Sequence, residues 1–124
     1  MSKLSVVIWI TVALTSSLCS GGEVEEVAKL ATKYGGVAEY RLWDSTRVDL
    51  LTDTHAIEAD WSYHWAEAIG QSLYYAQVTG RKPGIILLVK DVKEEARFIY
   101  RCQTVCTRVG IDLFIENIVD VNTK

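Results

Sequence analysis

An α/β fold, with a mixed central sheet flanked by helices, is predicted by three observations. Helical and strand periodicities alternate along the chain in the order helix, three strands, helix, strand, helix, strand. The run Ile85–Val89, IILLV, is apolar without interruption, the mark of a strand covered on both faces. Two short β-type segments, Thr46–Leu51 and His55–Trp61, flank the polar turn Thr52-Asp53-Thr54 and read as a hairpin. At 124 residues the chain has room for one core, and no repeat, low-complexity run or linker divides it.

Taken in order, Glu23 to Tyr34 places Val24, Val27, Ala28, Leu30 and Ala31 at helical spacing, with acids at its start and Lys33 at its end, as the helix dipole favours. Gly21-Gly22 precedes it as a break and Gly35-Gly36 stops it. Val37 to Trp43 alternates and is rich in β-formers, so a strand is expected, followed by a turn at Asp44-Ser45. After the hairpin, Ser62 can cap a helix whose core stripe is Trp65, Ala68, Ile69, Leu73 and Ala76, ending near Thr79-Gly80. Arg81 to Gly84, with the single Pro of the chain, reads as a loop before the buried strand. Asp91 to Val109 is expected to be helical, burying Ala96, Ile99, Cys102, Cys106 and Val109; Gly110 caps it and Ile111–Ile115 is the last strand.

The hairpin has an unusual composition. Asp49 lies in its first strand, and Glu58 and Asp60 lie two apart in its second, which points both to one face of the sheet. Strand interiors disfavour acidic residues. Three of them between apolar neighbours form a clustered negative charge suited to a divalent cation, which takes hard oxygen ligands.

The amino terminus, MSKLSVVIWITVALTSSLCSGGE, has one Lys, an apolar run from Leu4 to Leu14 and then small residues. This is the three-part pattern of a secretory leader over residues 1–20, ahead of one domain over 21–124; it implies a secreted or periplasmic protein with no membrane association once the leader is removed. The run is short of the roughly 20 residues of a membrane span. The formal net charge is −3, and loss of Lys3 leaves the rest acidic. A tight, passive nucleic-acid binder normally shows a basic surface, so the composition argues against one. It argues less against a metal-dependent enzyme whose acids hold an ion. Cys102 and Cys106 are four apart in a helical pattern, where the β-carbons converge poorly for a disulfide, so two reduced core residues are expected. The two His, His55 and His64, supply no second ligand pair for a zinc site of the usual spacing.

The order αβββαβ, with Asp49 in the second strand and Glu58-Ala59-Asp60 in the third, resembles the PD-(D/E)xK nuclease superfamily. The helix that follows carries Gln71-Ser-Leu-Tyr-Tyr75, similar to the Gln-x-x-x-Tyr helix of its RecB-like branch. The resemblance is clearest from Val37 to Val89. It implies a restriction-endonuclease-like fold, Mg²⁺ or Mn²⁺ held by Asp49 and Glu58, nucleic acid as partner, and Gln71 and Tyr75 positioning a phosphate or strand. Two departures stand out: Val48 replaces the Pro before the Asp, and Asp60 stands where the family has Lys. Asp60 could serve as a further ligand or as a general base, while Arg41, Arg47, Lys90 or His64 could supply the missing cation. On this resemblance Asp49, Glu58, Asp60, Gln71 and Tyr75 are the expected catalytic set. Two functions follow as expectations: an exported metal-dependent phosphodiester hydrolase acting on DNA or RNA, or a catalytically inactive nuclease-like domain that binds a protein partner.

Overall fold

The computed structural model describes residues 21–119, and the segment 1–20, where the leader is expected, lies with residues 120–124 outside the described residues. Helix α1 (Gly21–Tyr34) leads into a meander of β1 (Val37–Arg41), β2 (Arg47–Leu51) and β3 (His55–Trp61). A 3-10 turn, Ser62–His64, opens α2 (Trp65–Thr79), followed by β4 (Lys82–Val89), α3 (Ala96–Val109) and β5 (Asp112–Asn117). All the strands form one five-stranded sheet in the order β1-β2-β3-β4-β5. The meander pairs are antiparallel, whereas β3–β4 and β4–β5 are parallel. This is the mixed sheet flanked by helices that the sequence predicts, and its order is compatible with an αβββαβ core. No helix among the described residues is long and apolar enough to cross a membrane.

The two parallel crossovers step the same way along the sheet. Connections of one hand then put both helices on one face. Ala68 of α2 and Cys102 and Cys106 of α3 pack with Ile85, Leu87 and Val89 on that face. On the other face Val27 and Leu30 of α1 meet Leu50, Ile57, Ala59, Ile86 and Leu88. The run Ile85–Val89 therefore alternates between two cores, and all of it is fully buried. Gly36 fits where little else could: its φ is +141°, and a Cβ there would stand 2.5 Å from the Leu51 carbonyl oxygen.

Several boundaries differ from expectation. Gly21 and Gly22 belong to α1 rather than preceding it. Strand β1 ends at Arg41 instead of Trp43, because Asp44 Oδ1 accepts the Thr46 N–H at 3.0 Å and closes the turn early. Ser62 does not cap α2; its hydroxyl donates to Glu95 Oε1. The buried line of α2 is Ala68, Ser72 and Tyr75, while Leu73 is exposed. Ser72 tolerates burial because its hydroxyl donates to the Ile69 carbonyl at 3.0 Å. Lys82 to Gly84 are strand, not loop, since they extend the parallel ladder opposite His55, Ala56 and Ile57. Residues 91–95 are turn, not helix: Asp91 Oδ1 accepts the Lys93 and Glu94 N–H groups, a local bond that competes with helix. As a result Ala96 lies at the exposed start of α3, and Val109, 44% exposed, is off its buried line. Cys102 and Cys106 are free and buried, as expected, with their sulfurs 3.8 Å apart.

Candidate metal and phosphate site

The site begins where two strands part. Strand β2 pairs with β3 through Leu50–Ile57 and Leu51–Ala56. Continuing that register would set Asp49 opposite Glu58. Instead the Asp49 side chain enters the gap, and its Oδ2 accepts the Ala59 N–H at 2.9 Å. A side-chain carboxylate thus takes a backbone donor that a ladder bond would otherwise use.

On β3, alternation sends Ile57 and Ala59 to the α1 core and Glu58 and Asp60 to the face covered by α2. Both acids are buried, at 6% and 8% exposure, and Glu58 Oε2 is shut off from solvent. Asp60 sits at the strand's end. Its Oδ1 accepts the Trp61 N–H at 2.8 Å and lies 3.1 Å from His64 Nδ1. Burial raises the Asp60 carboxyl above its ordinary range, the His64 contact and the Trp61 N–H oppose that rise, and the Glu67 charge adds to it.

Asp60, His64 and Glu67 each offer a ligand atom, and these atoms all lie within 4.8 Å of one another, the one such group among the described residues. A possible carboxylate–histidine metal-binding group is therefore present, one step further along β3 than the Asp49–Glu58 pair assigned from the resemblance. The 3-10 turn sets this spacing by carrying the chain from the sheet into α2 within a few residues.

Tyr75 connects the two parts. It is buried on α2 beside Val48, Leu51 and Ala56. Burial first, then the negative charges of Glu58 and Asp49, push its phenol well above the ordinary tyrosine range. It therefore stays protonated at neutral pH. Both charges reach the same hydroxyl, so Asp49, Glu58 and Tyr75 border one region. Gln71, one turn before Tyr75, is half-buried. Neighbouring Tyr74 donates to Asp44 Oδ2 and ties the β1–β2 turn to α2.

Of the cations considered in place of the family's Lys, Arg47 Nη1 stands 3.4 Å from Glu39 Oε2, and Lys90 Nζ lies 5.2 Å from the centre of the Trp61 ring, which packs toward the α1 core. Arg41 is exposed. His64 is the basic residue that meets Asp60 directly. Glu67 was absent from the expected catalytic set, yet its signal is in the sequence: Asp60, His64 and Glu67 are spaced four and three apart across a strand–helix junction, a pattern that motifs confined to one element do not capture. No family model, curated protein or solved structure matches the chain.

Proposed function

We propose that the chain is a metal-dependent phosphodiester hydrolase, a nuclease acting on DNA or RNA. The observation that carries this reading is the gathering of Asp60, His64 and Glu67 at the end of a strand whose preceding inward residue is the buried Glu58. Buried acids on a sheet face are costly unless something compensates them. The PD-(D/E)xK resemblance supports the same chemistry from Asp49 and Glu58.

The donor set suits a divalent cation. Carboxylates match Mg²⁺ and Mn²⁺, and an imidazole among them favours Mn²⁺ over Mg²⁺. Asp60, His64 and Glu67 would hold the ion, with Glu58 and Asp49 bordering it. A bound ion supplies Lewis acidity toward a phosphate oxygen and a more acidic water. Protonated Tyr75 can donate a hydrogen bond to a phosphate oxygen, and half-buried Gln71 can orient the same group or the strand that bears it. The protein is proposed to work after export, on the leader pattern over 1–20.

The test is cleavage of labelled single- and double-stranded DNA and RNA with Mn²⁺, Mg²⁺ or chelator. Activity in Mn²⁺, less in Mg²⁺ and none in chelator is expected. His64→Ala should narrow the Mn²⁺ over Mg²⁺ advantage, and Asp60→Ala, Glu58→Ala or Asp49→Ala should abolish cleavage in folded protein. A wild-type protein that neither binds Mn²⁺ by calorimetry nor cleaves any of these substrates refutes the reading.

A second reading is favoured by Asp60 itself. The family's Lys position here holds an acid engaged by His64 and the Trp61 N–H. A binding module that has lost catalysis would keep such a closed arrangement. Asp60→Lys separates the two: it should lower activity if Asp60 is a ligand, and raise phosphate binding or activity if the site is a relic.

A further inference from the structure

The β1–β2 turn carries features that the proposed metal site does not use. Trp43 stands 85% exposed at its tip. Arg41 and Arg47 face one another across the last pair of the hairpin. Like charges directly opposite on neighbouring strands destabilise a hairpin, and departures from local rules concentrate at functional or strained positions. Glu39 offsets part of the repulsion through its 3.4 Å contact with Arg47, and it does so from a left-handed backbone, φ +56°, that a non-glycine residue adopts at a cost. Asp44, the acid beside Trp43, is turned inward: Thr46 Oγ1 donates to its Oδ1 at 2.6 Å and Tyr74 to its Oδ2.

The tip is also close to the acidic region. Tyr74, which holds Asp44, adjoins Tyr75, whose hydroxyl lies in the fields of Glu58, Asp49 and Asp44 alike. An exposed indole and two opposed guanidinium groups therefore sit on the rim of a site suited to a phosphodiester. Aromatic faces stack unpaired bases whatever their identity, and arginines beside them take the backbone phosphates. A duplex offers its phosphates but not its base faces.

We infer that the β1–β2 tip is a docking element for single-stranded nucleic acid, with a base on Trp43 and phosphates at Arg41 and Arg47, so that the strand is presented to the acidic site. This rests on the nuclease reading for its consequence, by naming single strands as the substrate class. The binding itself can be tested apart from catalysis. It also fits the acidic composition, because a short local basic patch gives weak, salt-sensitive attachment rather than tight passive binding.

The experiment is fluorescence anisotropy of labelled oligothymidylate and oligouridylate, and of a duplex of equal length, on the full chain in chelator at low salt. Tighter binding of the single strands is expected. Trp43→Ala should weaken it about tenfold, the loss of one stacked base, and Trp43→Phe should restore most of it. Arg41→Ala or Arg47→Ala should lower the slope of log affinity against log salt by about 0.7 each. Circular dichroism on each variant checks that the fold is kept. Equal affinity for Trp43→Ala and wild type overturns the inference, as does a duplex bound as tightly as the single strands, or absence of single-strand binding. A Trp43→Ala change confined to self-association, seen by light scattering, overturns it too. Loss of single-strand binding in Trp43→Ala with no metal-dependent cleavage by wild type would keep the docking element and defeat the nuclease reading; the converse pattern would do the reverse.

Discussion

Both faces of β3 are buried, yet they hold opposite chemistry. Toward α1 the strand presents Ile57 and Ala59, at 2% and 1% exposure; toward α2 it presents Glu58 and Asp60, at 6% and 8%. The adjacent strand β4 is apolar on both faces. The contrast separates burial that holds the fold together from burial that equips a site. Closing apolar surface against α1 stabilises the chain, whereas shutting carboxylates under α2 costs free energy unless protons, hydrogen bonds or a cation compensate. The acids on the α2 side therefore need partners that the α1 side does not, and Asp60 has two of them in the Trp61 N–H and His64.

Substitutions on the two faces should diverge accordingly. Leu88→Ala removes a fully buried side chain from the α1 cluster and should cost about 2–5 kcal/mol by the usual transfer and cavity terms, read by urea denaturation. Saturating Mn²⁺ should act in the other direction and only through the α2 face. At a hundredfold excess over its dissociation constant, a ligand specific to the folded state stabilises by about 2.7 kcal/mol. Calorimetric melting should show that gain in wild type and none in Asp60→Ala, and an equal shift in both proteins would move the metal elsewhere. Glu58→Gln, measured without metal, removes the charge and keeps the shape, and should leave stability within about 1 kcal/mol of wild type, since an amide costs less to bury than a carboxylate. A large loss there would mean that Glu58 supports the fold, and the comparison between the faces would collapse.

The core was more legible in the sequence than the site. Ile85–Val89 and the bounds of β3 follow from apolar continuity and alternation, signals written within one element. The ends of α2 and α3, at Thr79 and Val109, agree with the sequence reading, whereas their starts do not, because Ser62 and Asp91 bond outside the helix: Ser62 to Glu95, and Asp91 to the backbone of its own turn. Such partners lie far along the chain or compete locally with helix, and periodicity is blind to both. The acids of β3 were readable as sharing a face, from period two alone. The spacing of Asp60, His64 and Glu67 was readable too, and with it that His64 could reach the acids; that all three converge was not, because their meeting depends on the 3-10 turn that sets the angle between β3 and α2. The opposition of Arg41 and Arg47 is not legible in the sequence for a related reason, since pairing across a hairpin is fixed by register, which the turn at Asp44 decides.

The smallest effect concerns how the α2 face is held in place. Glu95 joins the loop before α3 to the start of the 3-10 turn: its Oε2 accepts the Lys90 and Asp91 N–H groups at 2.8 and 2.7 Å, and its Oε1 accepts the Ser62 hydroxyl. Burial would raise this carboxyl, but the bonds from Asp91, Ser62 and Lys90 outweigh it, and the group sits below its ordinary value of 4.5. Above that value the unfolded chain is ionised as well, and the full stabilisation of the bonded carboxylate is present. As pH falls through 4.5 the unfolded state takes up the proton first, and the contribution drains away until the folded carboxyl is protonated too. Glu95→Gln removes the charge while keeping the shape, and should cost about 1 kcal/mol at neutral pH, the order of the difference between hydrogen bonds to a charged and to a neutral acceptor. The gap between wild type and variant should then narrow as urea melts are repeated toward acid. A gap that stays constant with pH would show that the carboxylate's charge plays no part, and that Ser62 and the loop are held by packing alone. The α2 face would then keep its geometry in acid, and any loss of Mn²⁺ binding there would have to come from Asp60, His64 and Glu67 themselves.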